Sequence, residues 1–550
     1  MKRKIEISQF TKNILAQLLK TDNEKEIYHF YMPDFDTFLN PFVINNISKA
    51  LSLIKSFMYD KSAEIVIHYN NELSSIFSAY LISKFFKWQK KEIIFNDISV
   101  SLRNRLNIIV GSFSISDKKN QIIKITDYDK INEEEKNELI IFNNFTEEKY
   151  KSKYSLSLEV LTFKLIQSLF LSEEELFNKT FVAYDLETTG TSMLDEIIEI
   201  GAVKYRNGVK VDKFQTLVNP QRFIPQHIVN LTNITNEMVK NAPVIKDVIK
   251  DFANFLSDAD FIVVHNGGLD ISFISKAYKK YLNKTFNMKS YDTRMIAQSI
   301  RPMSGLSLGA ISEDMGIELI DAHRAAADAE ATGDSFIKLI LLKQIGLKIF
   351  TNNYLSVIIP SMLITPKKII GENRLYFISA INNLKKCKVY LIKSLLKKID
   401  NFNRFEILKI FYKLQNALRK FQKETIFSFI EKYLEFTNIK LDEEKDYLFN
   451  TDKFFKIELT DLKYNSLLEL EYLIPLTKEN YIPVFFVENI TIEKIKKNKR
   501  NEIIGTVRQN NIKKKFILKD ENDTNKNNLF FIILIEKFLF IFKKIKLKEI

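Results

Sequence analysis

The sequence predicts an α/β protein. A central mixed-sheet domain spans residues 176–342, between an N-terminal α/β domain (1–175) and a basic C-terminal α+β region (343–550). Three observations carry this. Short apolar runs alternate with amphipathic stretches along the first two thirds, the pattern of strands and helices in turn. Small residues concentrate in the middle: nine of the 13 glycines and 14 of the 20 alanines lie within 176–342, which marks tightly specified packing there. Charge is segregated as well. The first two segments carry net charges of 0 and −2, so the last 208 residues hold +16 of a total of +14.

In the central segment, Thr180–Tyr184 is a short apolar run that reads as a buried strand, and Glu196–Tyr205 as a second. Asn207-Gly208 is a two-residue hairpin signal leading into a third strand, Lys213–Val218. Ala242-Pro243 opens an amphipathic helix with Val244, Val248, Phe252 and Phe255 on one face. A strand at Phe261–His265, a helix at Asp270–Tyr281 and a long helix at Ala322–Leu342 complete the segment. The N-terminal segment reads as strands at Ile65–Tyr69, Glu92–Phe95, Leu106–Phe113 and Leu139–Phe142, with a helix at Glu72–Phe86. The C-terminal region begins with helical patterns at Leu384–Asp400, Phe405–Phe421 and Thr425–Phe436. It then turns to strand-like runs at Leu467–Ile474 and Ile482–Val487.

Composition narrows the function classes. With 46% hydrophobic and 27% charged residues the chain can bury several cores, which excludes a disordered protein. The single cysteine, Cys387, excludes a disulfide scaffold and thiolate zinc sites, and points to a reducing compartment. Glu6 and Gln9 interrupt any signal-peptide core. The most apolar run, Leu529–Phe542, contains Glu536 and Lys537 and falls short of the ~20 residues of a spanning helix. The expectation is a cytoplasmic protein without a membrane partner.

Five residues of the central segment form the chemical signal. Asp185 and Glu187, in Asp185-Leu-Glu-Thr-Thr-Gly190, sit two apart at a strand end, so both carboxylates face one side. Asp270 follows a strand in His265-Asn-Gly-Gly-Leu-Asp270, while His323 and Asp328 open the last helix in His323-Arg-Ala-Ala-Ala-Asp328. Acids converging on one cleft repel, and a cation is needed to hold them together.

With Asn230-Leu-Thr-Asn-Ile-Thr235 and Tyr291-Asp-Thr293, these motifs occur in the order of the DEDD exonuclease superfamily with a histidine in its final motif. The segment resembles the proofreading (epsilon) subunit of bacterial DNA polymerase III and the exonuclease domain within Gram-positive replicative polymerases. The resemblance implies an RNase H-like fold and two divalent ions, Mg²⁺ or Mn²⁺, held by Asp185, Glu187, Asp270 and Asp328. It implies His323 as the general base, with Thr188 and Thr189 on the terminal nucleotide and His265 and Asn266 beside the site. The implied activity is 3′→5′ hydrolysis of DNA in proofreading or repair, single-stranded 3′ ends foremost, with replication or repair proteins as partners. Two other readings stay open: an RNA exonuclease sharing the same five residues, and a nucleic-acid or replisome scaffold with an accessory exonuclease. Three positions depart from the family: Gly267 replaces Ala, Leu269 replaces Phe, which should loosen packing behind Asp270, and Asn233 replaces Gly.

Two further features are fainter. His68-Tyr-Asn-Asn-Glu-Leu-Ser-Ser-Ile-Phe-Ser78 resembles the first motif of DHH-type phosphoesterases, with Glu72 and Ser74 where that family has Asp, and Phe142-Asn143-Asn144 in place of Asp-His-His. Such a domain would be degenerate; the other reading is an ordinary α/β domain, and neither makes it catalytic. In the basic third, Lys494, Lys496, Lys497, Lys499 and Arg500, then Lys513, Lys514 and Lys515, are candidate phosphate contacts, with Phe485 and Phe516 as nearby aromatics. The alternative is a solvated face of a lysine-rich chain.

Overall fold

The computed structural model describes residues 7–33, 38–96, 104–115, 120–128, 139–151, 154–171, 176–192, 194–300, 303–319, 323–363, 369, 371–396, 411, 414, 418, 454–456, 484–486, 491–497, 503–518, 531–536 and 539–544. The chain divides into two compact units, one built on Asp34–Leu355 and one on Lys4–Pro33 with Ser356–Ile550.

The first unit holds two five-stranded sheets. The first comprises β1 (Glu64–Tyr69), β2 (Ile94–Phe95), β3 (Arg105–Val110), β4 (Gln121–Ile125) and β5 (Leu139–Ile141), in the order β2-β1-β3-β4-β5 and parallel throughout. β3 is buried along its whole length, as a central parallel strand covered on both faces must be. β4, Gln-Ile-Ile-Lys-Ile, is not among the strands expected from the sequence, and its lysine breaks the apolar run. That lysine, Lys124, is nonetheless buried and reaches the Ser114 hydroxyl at 3.3 Å. β3 also stops at Val110 rather than Phe113, since Gly111 takes φ +122° and turns the chain beneath Ser75.

The second sheet comprises β6 (Thr180–Thr188), β7 (Ile197–Arg206), β8 (Val209–Leu217), β9 (Phe261–Val264) and β10 (Ser290–Asp292), in the order β10-β9-β6-β7-β8. β6, β7 and β8 are antiparallel, while β9 and β10 add in parallel. Asn207 and Gly208 make the β7–β8 hairpin with φ of +52° and +77°, the twist that a two-residue turn needs. Alternation on β6 splits its residues between two layers. Val182, Tyr184 and Leu186 pack on the Ile245–Phe255 and Gly268–Ala277 helices through Val248, Phe252, Phe273 and Ile274. On the other face Phe181 stacks on Tyr205 (4.7 Å) and meets Phe336 of the Ala325–Lys343 helix (5.2 Å).

The two sheets share one unit through partly buried polar contacts. The Lys210 ammonium binds Glu147, Asp334 and Glu330 at 3.1, 3.0 and 2.8 Å, and the Ser48 hydroxyl donates to the Asn207 carbonyl (3.2 Å).

The second unit carries helices at Gln9–Leu19, Glu24–Tyr31 and Gly371–Asn382, where buried Arg374 lies 3.8 Å from the Phe30 ring centroid. The expected helix at Leu384–Asp400 is a 3₁₀ turn (Leu384–Lys386) followed by a helix at Tyr390–Leu396. Of Phe405–Phe421 only Phe411, Leu414 and Leu418 are described, all helical and buried; Thr425–Phe436 and Leu467–Ile474 lie outside the described residues. β11 (Phe454–Lys456) pairs with β12 (Val484–Phe486). β13 (Thr491–Lys497), β14 (Ile503–Gln509), β15 (Ile512–Leu518), β16 (Phe531–Glu536) and β17 (Leu539–Lys544) form a sheet in the order β13-β14-β15-β17-β16. Within the apolar run Leu529–Phe542, the described residues belong to an antiparallel strand pair, with Glu536 opposite Leu539. Among the described residues no helix is long and apolar enough to cross a membrane.

Candidate active site

The site forms where β6 ends against the start of the Ala325–Lys343 helix. Asp185 and Glu187 project toward that helix, because they alternate with the core residues Tyr184 and Leu186. Two glycines let the helix lie this close. A Cβ on Gly201, opposite Asp185 in the β6–β7 register, would stand 2.1 Å from the Ala325 carbonyl carbon and the Ala326 nitrogen. A Cβ on Gly333 would stand 2.4 Å from the Tyr205 ring. The close approach places Asp328 beside the strand, and one ligand oxygen from each of Asp185, Glu187 and Asp328 lies within 4.8 Å of the others.

Asp270, in the first turn of the Gly268–Ala277 helix, lies outside this trio but is the charge that acts most strongly on Asp185. Burial, then the neighbouring Asp270, Glu187 and Asp328, drives Asp185 well above the ordinary carboxylate range. Burial, with Asp328 and Glu199 as like charges, raises Glu187 to about 8. Burial raises Asp270 to about 6, against hydrogen bonds from its own and the Leu186 amide. Asp328 is raised by burial too. Burial thus works against the charge on all four acids, and like charges add to it at Asp185 and Glu187.

One atom bears on what these acids can hold. Asp328 accepts the His323 amide on Oδ2 (3.2 Å), whereas its Oδ1 is buried with no hydrogen-bond partner. A buried carboxylate oxygen left unpaired is costly, and a cation in the trio would satisfy it while relieving the repulsion. The all-oxygen donor set suits a hard divalent ion. The residues therefore fit the metal that the sequence implies.

His323 lies just before the helix cap Arg324, exposed and with φ +67°, a left-handed conformation uncommon for a side chain of its size. The helix starts at Ala325 rather than Ala322 for that reason. His265 Nδ1 lies 2.9 Å from the Thr293 hydroxyl, and burial lowers the imidazole's affinity for a proton. Exposed Asn266, at φ +53°, donates its amide to Asp292 (3.0 Å). The Thr188 hydroxyl donates to the Gly190 carbonyl (2.6 Å). The Thr189 hydroxyl is buried, donating to Asp195 (3.0 Å) and accepting from the Glu196 amide (3.1 Å). These threonines brace the loop after β6.

The departures from the family pattern have structural reasons. Leu269 is 45% exposed, so it does not pack behind Asp270 and the expected loosening does not arise there. Gly267 has no room for a methyl group, since a Cβ would stand 2.3 Å from that of Val264. Asn233 caps its helix at φ +57°, a conformation asparagine tolerates nearly as glycine does.

The sequence reading missed Glu199 and Arg324. Glu199 lies opposite Glu187 on β7 and is fully buried. It accepts both arms of the Arg324 guanidinium (2.7 and 3.1 Å), the Ala325 amide (3.1 Å) and Gln215 Nε2 (3.0 Å). Burial would raise its pKa, but these bonds outweigh that and hold it below the ordinary value. A charged residue inside the apolar run Ile197-Ile-Glu-Ile200 was the available signal.

In the second unit, Lys494, Lys496 and Lys497 lie on β13 and Lys513, Lys514 and Lys515 on β15, both paired with β14. Lys496 and Lys513 are exposed, and Lys513 faces exposed Arg508 in register. Lys499 and Arg500 lie outside the described residues. In the first sheet, His68 is buried against Asn107 (3.0 Å), and Asn143 bridges the Asp127 and Leu156 carbonyls (3.1 and 3.0 Å).

Comparison with known proteins places the central segment. Residues 182–336 match a family model described as "Exonuclease". The DNA polymerase III subunit epsilon of Aquifex aeolicus is 39% identical over 169 residues, which cover 30% of this chain and 83% of that protein. The chain belongs to the DEDD exonuclease family with a final-motif histidine, DEDDh. A PolC-type DNA polymerase III from Caldanaerobacter subterraneus is 42% identical over 171 residues, but these are only 12% of its length. The chain therefore spans a small part of the PolC-type polymerases it resembles. Among solved structures, "Exonuclease X in complex with 5′ overhanging duplex DNA" is 24% identical, covering 29% of this chain and 89% of that one, with a TM-score of 0.24. DEDDh exonucleases need divalent metal ions, and among the described residues Asp185, Glu187 and Asp328 form a group that could hold one.

Proposed function

We propose that this chain is a 3′→5′ exonuclease that removes nucleotides from DNA, single-stranded 3′ ends foremost, with two divalent ions, Mg²⁺ or Mn²⁺. The observation that carries this is the convergence of Asp185, Glu187 and Asp328 around an unpaired buried oxygen, with Asp270 as the fourth acid. These four carboxylates hold the ions. When bound, the ions supply Lewis acidity for the attacking water and charge stabilisation for the leaving 3′ oxygen.

The protein's own groups supply the rest. The His323 imidazole accepts the proton of the water as its oxygen bonds to phosphorus; its exposure leaves it free to meet solvent and a strand end. The bond from phosphorus to the 3′ oxygen breaks, and that oxygen leaves with a proton from solvent. His265, held by Thr293, and Asn266 flank the site, while Thr188 and Thr189 shape the loop against which a terminal nucleotide lies. The basic strands β13 and β15 offer a polyanion the phosphate contacts that the acidic segment itself lacks. Residues 1–175, 176–342 and 343–550 act as a non-catalytic α/β domain, the exonuclease and a nucleic-acid or partner-binding region. The relatives' names, DNA polymerase III subunit epsilon and PolC-type DNA polymerase III, support a role beside a DNA polymerase, with repair as the other role open to the same chemistry.

The test is digestion of 5′-labelled single-stranded DNA, duplex DNA and RNA of one sequence, in Mg²⁺ and in Mn²⁺. The proposal expects faster shortening of single-stranded DNA. Faster shortening of RNA would move the assignment to an RNA exonuclease, because the choice rests on how the pocket meets the 2′-hydroxyl.

A further inference from the structure

The start of the Ala325–Lys343 helix carries Asp328, and His323 stands one residue before its cap Arg324, so two residues of the proposed chemistry depend on where this one helix end sits. A helix N-terminus has unpaired amides that need a partner, and the cap residue here, Arg324, gives no side-chain cap of its own. The partner comes from the sheet. Glu199 accepts the Ala325 amide at 3.1 Å and both Arg324 arms at 2.7 and 3.1 Å, anchoring the last residue before the helix and the first within it. Glu199 is wholly buried and lies directly across from Glu187. One carboxylate therefore ties the strand pair bearing Asp185 and Glu187 to the helix end bearing Asp328.

We propose that Glu199 and Arg324 are positioning residues, a two-armed ionic cap that fixes Asp328 against Asp185 and Glu187 and sets the left-handed turn at His323. This rests on the exonuclease reading. The cap acts through the helix end, and a forked guanidinium fixes direction as well as charge. Outer partners of metal ligands typically matter by 10–100-fold in metal affinity or activity.

The experiment compares the full-length chain with its Arg324→Gln and Arg324→Lys variants. Direct Mn²⁺ titration followed by electron paramagnetic resonance reports metal affinity, and kcat and KM are measured separately on a short oligonucleotide. Arg324 is partly exposed, so its replacement spares the apolar core. Circular dichroism verifies folding, and if Arg324→Gln fails to fold, Arg324→Lys carries the comparison. The expected result is a roughly 10-fold weaker Mn²⁺ affinity and a 10- to 100-fold lower kcat for Arg324→Gln, with KM within about twofold of wild type. Arg324→Lys should recover the Mn²⁺ affinity only in part, since an ammonium cannot fork. Mn²⁺ affinity and kcat within twofold of wild type in the folded variants would overturn the proposal. So would a raised KM at unchanged kcat, which would make Arg324 a strand contact. A wild-type chain that binds Mn²⁺ but releases no nucleotide would overturn the exonuclease reading instead, and the Mn²⁺ comparison would still decide the positioning role.

Discussion

Replacing Gly201 by Ala tests whether the closeness of one helix to one strand sets the site. The added Cβ would stand 2.1 Å from the Ala325 carbonyl carbon and the Ala326 nitrogen, and ordinary contact begins at 3.4 Å, so the helix start must retreat by about 1.3 Å. The obstacle is backbone on both sides and cannot rotate away as a side-chain tip would. Overpacking of this kind costs about 1–3 kcal/mol, which the fold should survive. The chemistry is less tolerant. Asp328 and His323 ride on the displaced segment, and a shift of about 1 Å in a reacting group costs about 10²-fold in rate. The assay is release of nucleotides from a labelled oligonucleotide at saturating Mg²⁺, with the melting temperature measured on the same preparation. A folded Gly201→Ala protein with kcat within threefold of wild type would refute the idea that helix position sets the site.

Three further outcomes are expected. His323→Ala should lower kcat about 10²–10⁴-fold while leaving Mn²⁺ affinity near wild type, and a rate close to wild type would remove the general-base role. In EDTA the fold should lose stability as pH rises from about 5 to 8. Asp185, Glu187 and Asp270 have raised folded-state pKa values, Glu187 near 8 and Asp270 near 6, so the native state keeps protons that the unfolded chain has released above the ordinary carboxylate pKa of about 4. Added Mg²⁺ should then raise the melting temperature more at pH 8 than at pH 5.5, and the reverse order would contradict the acid cluster. Charge reversal at Lys496, Lys497, Lys514 and Lys515 should weaken binding to long strands and flatten its salt dependence, by about 0.7 in slope per lost phosphate contact, whereas an unchanged slope would make these lysines a solvated face.

What the sequence disclosed was mostly local. Two carboxylates on alternate strand positions, a hairpin turn at Asn207-Gly208 and amphipathic spacing from Val244 each follow from a few neighbouring residues, and all three stand in the structure. Where long-range contact decides, the reading ran short. β4 was overlooked because Lys124 sits in a strand that is buried only once its neighbours pair with it. Leu269 was expected behind Asp270, yet its exposed position depends on how the Gly268–Ala277 helix meets the sheet. Glu199 and Arg324 lie 125 residues apart, and nothing in the spacing of either announces the other. The roles of Gly201 and Gly333 as contact points likewise become visible only when the helix lies on the strands.

The most direct test follows a 5′-labelled single-stranded DNA over time with the full-length protein and with Asp185→Ala. The account predicts a ladder shortening from the 3′ end that requires Mg²⁺ or Mn²⁺, stops on addition of EDTA and is absent for Asp185→Ala. A ladder that persists in the Asp185→Ala protein, or in wild type without a divalent ion, would contradict it.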